Sequence, residues 1–205
     1  MRKRSVLSVI KGLRRQVFTT REISSISGKS SSCVTQALNN LAGEGAVSKI
    51  YRGVWVEEGF SGISPYAVIP CLFPKERVYV SFISALHIYG IVEQIPQVTT
   101  IASTSHGRVV RTKIGVFYLH HIAPSFFNGF GWYKGNGTYL IADPEKALVD
   151  SLYLSAYKKK RFGHFPELHF PKSFSSKKAR KWADGIPSKK ARVCVRNKLE
   201  EILSR

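Results

Sequence analysis

The chain has 205 residues, 43% hydrophobic and 12% aromatic, which is enough to build a core in one large domain or two small ones and excludes wholesale disorder. Lys plus Arg number 32 against 13 Asp plus Glu, a net charge of +19, so the expected partner is a polyanion: nucleic acid or an acidic membrane surface. No apolar run approaches the roughly 18 residues of a membrane span, which argues against an integral membrane protein.

The opening MRKRSVLSVIKGLRR is basic but lacks a long apolar stretch and a small-residue cleavage site, so no secretory signal is expected. Cys33, Cys71 and Cys194 are scattered, with no CxxC spacing; neither a disulfide framework nor a zinc site follows, and a cytoplasmic location is expected. The charge is uneven. Residues 1–60 hold 10 Lys/Arg and 4 Asp/Glu, residues 61–150 hold 7 and 5, and residues 151–205 hold 15 and 4. Two basic ends therefore flank an ordinary middle. Gly, Ser and Pro concentrate in GFSGISP (59–65), which reads as a linker.

Val6, Val9, Ile10 and Leu13 recur at helical spacing and predict a short first helix over 5–13. Thr19 and Glu22 then form a capping box, with Phe18 and Ile23 at the positions of a hydrophobic staple. A second helix should start near Thr20, bury Ile23 and Ile26, and stop at Gly28 in a left-handed conformation. Ser30 is placed to cap a third helix with Val34, Ala37, Leu38 and Leu41 on one face, ended by Gly43 and Gly45. Alternation through AVSKIYRGVWVEE, with Arg52-Gly53 at the turn, predicts a hairpin.

This order is that of a winged helix-turn-helix. A small helical domain that binds nothing is the plainer alternative, and the outer face of the third helix argues against it. Removing the buried stripe leaves Lys29, Ser31, Ser32, Thr35, Gln36, Asn39 and Asn40 outside, with no acid before Glu44. Amides and hydroxyls read base edges in the major groove. The helix N-terminus at Ser31 and Ser32 favours a phosphate. Lys49, Tyr51 and Arg52 on the wing would reach the backbone or minor groove, and Arg2, Lys3 and Arg4 would form an arm.

In the middle, Ser81 should cap a helix over 82–89 that ends at Gly90, followed by strands at 98–102 and 137–142 and a hairpin over 108–122. Asp143-Pro144-Glu145 then opens a helix with an N-cap, a proline at its first position and a dipole-matched acid. Asp143, Glu145, Lys146 and Asp150 resemble the acidic cluster of a metal-dependent nuclease, but such a site needs carboxylates converging from separate elements. Asp150 lies about 10 Å along the helix from Asp143 at ~1.5 Å per residue. His120 and His121 should face opposite sides of one strand. His106, His164 and His169 have no spaced partner, and Ser84 near His87 lacks a third member for a triad. GFGWYKGNG (129–137) has no Lys-Ser/Thr and no following helix, so it is no phosphate loop. No cofactor and no catalytic residue are expected.

The tail carries KKKR at 158–161, a short helix within 173–185 capped by Ser175 or Ser176, and a longer one over 188–205. The latter sets Ala191, Val195, Leu199 and Ile202 on one stripe, with Lys189, Lys190, Arg192, Arg196 and Lys198 around it. One reading is a solvated helix packed on the domain; the other, favoured by the charge, is a second polyanion surface. A basic amphipathic helix can also lie on a membrane, but the modest stripe argues against that.

KIYRGVWV (49–56), YVSFISALHIYGIVEQIP (79–96) and YLIADPEKALVDSLYL (139–154) resemble the wing and the two most recognisable C-terminal stretches of AbiEi-type antitoxins, over roughly residues 5–155. The resemblance implies a transcriptional autoregulator acting at inverted repeats in its own promoter, and an antitoxin that counters a nucleotidyltransferase-type toxin in a type IV toxin-antitoxin system of abortive phage infection. The expected architecture is α+β: a winged helix-turn-helix over 1–60, a mixed α/β domain over 61–157 and a basic helical extension over 158–205 packed on it. The competing readings are a metal-dependent nuclease and an RNA-binding module without a toxin.

Overall fold

The computed structural model describes residues 5–58, 62–135, 139–157 and 166–204. The proposed arm at Arg2, Lys3 and Arg4, the KKKR run and His164 lie outside these residues. The fold class is α+β. The chain divides into two units, Met1–Pro74 with Arg111–Gly115, and Lys75–Val110 with Val116–Arg205. The first unit thus continues past the expected boundary at residue 60.

In the first unit, helix α1 (Val6–Leu13) starts where the Ser5 hydroxyl accepts the Ser8 amide and stops at Arg14, which is left-handed with φ 50°. Strand β1 (Val17–Thr19) follows, then α2 (Thr20–Ser27). Thr19 does two jobs: its extended backbone closes the strand, while its Oγ1 accepts the Glu22 amide at 3.1 Å. Phe18 and Ile23 are fully buried, as the staple requires. Ile26 is not; it is 46% exposed, because Ser27, one turn after Ile23, takes the inward position. Gly28 ends α2 in the left-handed region at φ 67°, and Ser30 caps α3 (Ser31–Gly43) through the Cys33 amide. Val34 and Leu38 point inward from α3, with Ala37 and Leu41 partly buried behind them.

Strands β2 (Val47–Tyr51) and β3 (Val54–Glu57) form the expected hairpin, and β1 adds a third antiparallel strand in the order β1-β3-β2. Central β3 is covered on both faces, so Val54, Trp55 and Val56 are all buried rather than alternating. A bulge between Lys49 and Tyr51 breaks the alternation of β2 as well and leaves Ile50 with no opposite residue on β3. The Trp55 indole donates to Thr20 Oγ1 at 2.9 Å, which ties the sheet to the start of α2. After a 3₁₀ turn at Pro65–Val68, α4 (Ile69–Leu72) closes the segment.

The second unit contains strands β4 (Val78–Val80), β5 (Thr99–Ser103), β6 (Arg108–Arg111), β7 (Val116–His121), β8 (Phe130–Trp132) and β9 (Leu140–Ala142) in one sheet, ordered β6-β7-β5-β4-β9-β8. The sheet is mixed: β4 is antiparallel to β5 and parallel to β9, β5 is parallel to β7, and β8 is antiparallel to β9. Stretch 129–137, excluded above as a phosphate loop, supplies β8. Helix α5 (Phe82–Ile88) starts at Ser81, whose hydroxyl makes no cap bond because it is committed to Asp150. Helix α6 (Pro144–Tyr157) packs against α5, α7 (Ser176–Asp184) and α8 (Lys189–Leu203), and Glu145 through Ser155 are all buried. The two tail helices are capped by Ser175 and Ser188, and Ala191, Val195 and Leu199 are the buried stripe of α8.

Candidate nucleic-acid interface

Helix α3 contains no charged residue. Ser31, Ser32, Gln36, Asn39 and Asn40 are exposed on it, opposite the buried Val34 and Leu38. Two other residues expected to face outward, Lys29 and Thr35, are half-buried. Lys29 sits in the α2–α3 turn, where its carbonyl accepts the Ser24 hydroxyl at 2.6 Å and its amide donates to Ser27 Oγ at 3.4 Å. Thr35 turns its hydroxyl back to the Ser31 carbonyl at 2.7 Å. The Thr35 hydroxyl is thereby spent within the helix, whereas the bonds of Lys29 are those of its backbone.

The remaining groups differ in what they have free. Gln36 Nε2 donates to Asn40 Oδ1 at 3.3 Å, so each amide of that i,i+4 pair keeps half of its capacity. Asn39 has no hydrogen-bond partner among the described residues, and so retains both the donor and the acceptor that bidentate pairing with adenine uses. At the helix start, Ser30 Oγ satisfies the Cys33 amide and lies 3.1 Å from Ser32 Oγ, whereas the Ser31 and Ser32 amides have no acceptor inside the helix.

On the hairpin, Lys49, Tyr51 and Arg52 are all exposed. Lys49 stands opposite Trp55 in the register, with its Nζ 5.6 Å from the indole ring. Arg52 occupies the turn beside Gly53, whose φ of 72° favours glycine. Missing from the sequence reading were β1 and the bulge: three residues are too few to display a period, and a one-residue insertion has no compositional mark.

The acidic cluster resolves into two separate ion-pair systems. Lys178 lies 3.0 Å from Asp143 and 3.3 Å from Glu145, and Glu145 also accepts the Ser175 amide at 2.9 Å. Glu145 therefore anchors the start of α7 in addition to any effect on the dipole. Asp150 is fully buried and accepts from Lys146, from Tyr79 Oη at 3.0 Å and from Ser81 Oγ at 2.8 Å. Burial pushes both members toward neutrality, lowering the Lys146 ammonium below its ordinary range and raising the Asp150 carboxyl above its own. The Lys146 ammonium also lies 3.8 Å from the Phe126 ring centroid. Among the described residues, no three His, Cys, Asp or Glu are grouped so as to hold a metal. Ser84 is bonded to Thr100 and His87 to the Val92 carbonyl, so the two do not form a dyad. His120 is buried and His121 exposed, as their opposite faces require.

Several tail cations are committed to structure. Arg180 grips Glu200 through two bonds, Arg196 pairs with Asp184 at 2.9 Å, Arg192 donates to the Ile186 carbonyl, and Lys198 donates to Ser155 Oγ. Lys177, Lys181, Lys189 and Lys190 are exposed with no acidic partner among the described residues. No helix among those residues is long and apolar enough to cross a membrane. No protein-family model matches the chain, and no curated protein matches it.

Proposed function

We propose that the N-terminal unit is a winged helix-turn-helix that binds duplex DNA, with α3 in the major groove and the β2–β3 hairpin as the wing. The observation that carries this reading is the exposed face of α3, five short polar side chains with no charge among them, set in a chain of net charge +19. A face evolved only for solvation carries Lys and Glu pairs; hydroxyls and amides suit base edges. Ser31 and Ser32 would meet a phosphate with their amides, Asn39 a base, and Lys49, Tyr51 and Arg52 the flanking backbone. The cations supply affinity and the helix supplies sequence choice.

On the resemblance to AbiEi-type antitoxins, the protein is proposed to be a cytoplasmic autoregulator that binds inverted repeats in its own promoter and serves as the antitoxin of a type IV system. In this reading it is a binding protein rather than an enzyme, needs no cofactor and has no membrane partner. The test is binding of the purified full-length protein to the duplex upstream of its own gene and to a scrambled duplex across a salt series. A preference of about 10³-fold at physiological salt supports a specific repressor, and equal affinity for both duplexes overturns it. The antitoxin role is tested by co-expression with a neighbouring nucleotidyltransferase gene, where restored growth is the expected result.

A further inference from the structure

Arg111–Gly115 belongs to the N-terminal unit although more than thirty residues of chain separate it from Pro74. Its attachment is specific: the Lys113 amide donates to the Ile50 carbonyl at 3.2 Å. Ile50 is the extra residue of the β2 bulge, and β2 is an outer strand of its sheet. The bulge therefore leaves a backbone acceptor at the sheet edge, and the 111–115 turn takes it.

The turn is rigid by its own bonding. The Thr112 amide and hydroxyl both donate to the Gly115 carbonyl, at 3.0 and 2.9 Å, and Thr112 Oγ1 accepts the Ile114 and Gly115 amides at 3.2 Å each. One threonine thus fixes four residues. What the turn displays is Arg111 and Lys113, both exposed, with no acid in the segment and no ion pair to either among the described residues. Four other exposed arginines are spent on acids, Arg15 on Glu22, Arg108 on Glu76, Arg180 on Glu200 and Arg196 on Asp184, whereas Arg111 and Lys113 share with Arg14, Arg21, Arg52 and Arg77 the lack of an acidic partner among the described residues. A backbone bond holds two unneutralised cations against the strand that carries Lys49 and Tyr51.

We propose that the Arg111–Gly115 turn is a second element of the DNA-binding face, with Arg111 and Lys113 contacting duplex phosphates beside those met by the β2–β3 hairpin. The ligand is the DNA backbone, so the turn adds affinity and salt dependence without sequence preference. This rests on the winged-helix reading and extends it to residues far away in sequence.

The experiment compares full-length wild type, R111Q/K113Q and R52Q on the upstream duplex and a scrambled duplex, from 50 to 200 mM salt. In R111Q/K113Q both duplexes should weaken by the same factor. The slope of log affinity against log salt should shrink by about 1.8, so the wild type loses about 12-fold more affinity over that range than the variant does. The preference between duplexes and the melting temperature should stay unchanged, since glutamine keeps the backbone amide that Lys113 donates. Lys113→Arg should retain the wild-type slope. An unaltered slope in R111Q/K113Q, with a reduced slope in R52Q, overturns this inference and leaves the hairpin reading standing. Failure of the wild type to bind either duplex overturns both.

Discussion

Replacing Lys146 by methionine isolates what the buried pair on α6 does. The substitution keeps the aliphatic volume packed near Phe126 and removes the positive charge, leaving Asp150 fully buried with only the Tyr79 and Ser81 hydroxyls as donors. Removing one partner of a buried ion pair costs about 3–5 kcal/mol, because the remaining charge is uncompensated. The carboxyl can escape part of that cost by holding a proton. Its folded-state pKa, already raised by burial, then rises further above the unfolded value of about 3.9. The folded state consequently binds more protons than the unfolded one, and stability falls as pH rises. Lys146→Met should be least destabilised below about pH 4, lose stability as pH climbs through the folded pKa, and level off above it.

Urea denaturation followed by circular dichroism at several pH values measures this. A companion, K146M/D150L, removes both charges and should lie closer to wild type at pH 8 than the single variant, short of full recovery because the Tyr79 and Ser81 hydroxyls lose their acceptor. Two results would refute the reasoning: a single variant within about 1 kcal/mol of wild type at pH 8, or a double variant as destabilised as the single.

Asn39→Ala should weaken binding to the upstream duplex by about 1–3 kcal/mol and leave the scrambled duplex untouched, as read by fluorescence anisotropy, whereas Gln36→Ala should cost less because its amide is half engaged with Asn40. Equal losses on both duplexes would show that Asn39 does not face a base. Thr19→Ala removes the acceptor of the Glu22 amide and should cost about 0.5–2 kcal/mol in urea unfolding, with Thr19→Ser recovering most of it. Cys33 is exposed on α3 next to Ser32 while Cys71 and Cys194 are partly buried, so the upstream duplex should slow alkylation of Cys33 selectively; protection of all three thiols alike would contradict the placement of α3.

What the sequence made legible follows from how local each signal is. The caps at Thr19 and Ser30 are bonds across three residues, so spacing alone located them, and it narrowed the cap of α7 to Ser175 or Ser176, of which Ser175 is the one; the Ser188 cap of α8 was not read. Gly28 ends α2 for a reason confined to its own backbone. The non-local features were illegible. Three-residue β1 shows no period, and β3 is the central strand rather than one arm of a two-stranded hairpin only because β1 pairs along its second edge. The exposure of Ile26 depends on which of two neighbouring positions faces α1 and α3, and helical spacing from Ile23 allows both. Of the candidate site, the residue types on α3 were readable, but the Thr35 back-bond and the Gln36–Asn40 pair needed side-chain geometry. Asp150 illustrates the gap best: Lys146 sits four residues before it, a local cue, while Tyr79 and Ser81 reach it from some seventy positions away.

The distribution of charge carries a consequence for the proposed mode of binding. Helix α3 has no ionisable side chain apart from Cys33, and the exposed cations of its unit stand off it: Lys11, Arg14, Arg15 and Arg21 on α1, α2 and the segment between them, Lys49 and Arg52 on the hairpin, and Arg111 and Lys113 on the 111–115 turn. Contacts to base edges made by neutral amides release no counterions, whereas each phosphate contact contributes to the salt slope. Grip and choice then depend on different groups. The ratio of affinities for specific and scrambled duplexes should hold nearly constant as salt rises, even while both absolute affinities fall by orders of magnitude. A protein that read its site through arginines on the recognition helix would couple the two, because each lost base contact would also lose a charge near the phosphates. Keeping them apart preserves discrimination at ionic strengths where the electrostatic term has weakened, which is the condition an autoregulator must meet to release and rebind one promoter among a large excess of other DNA.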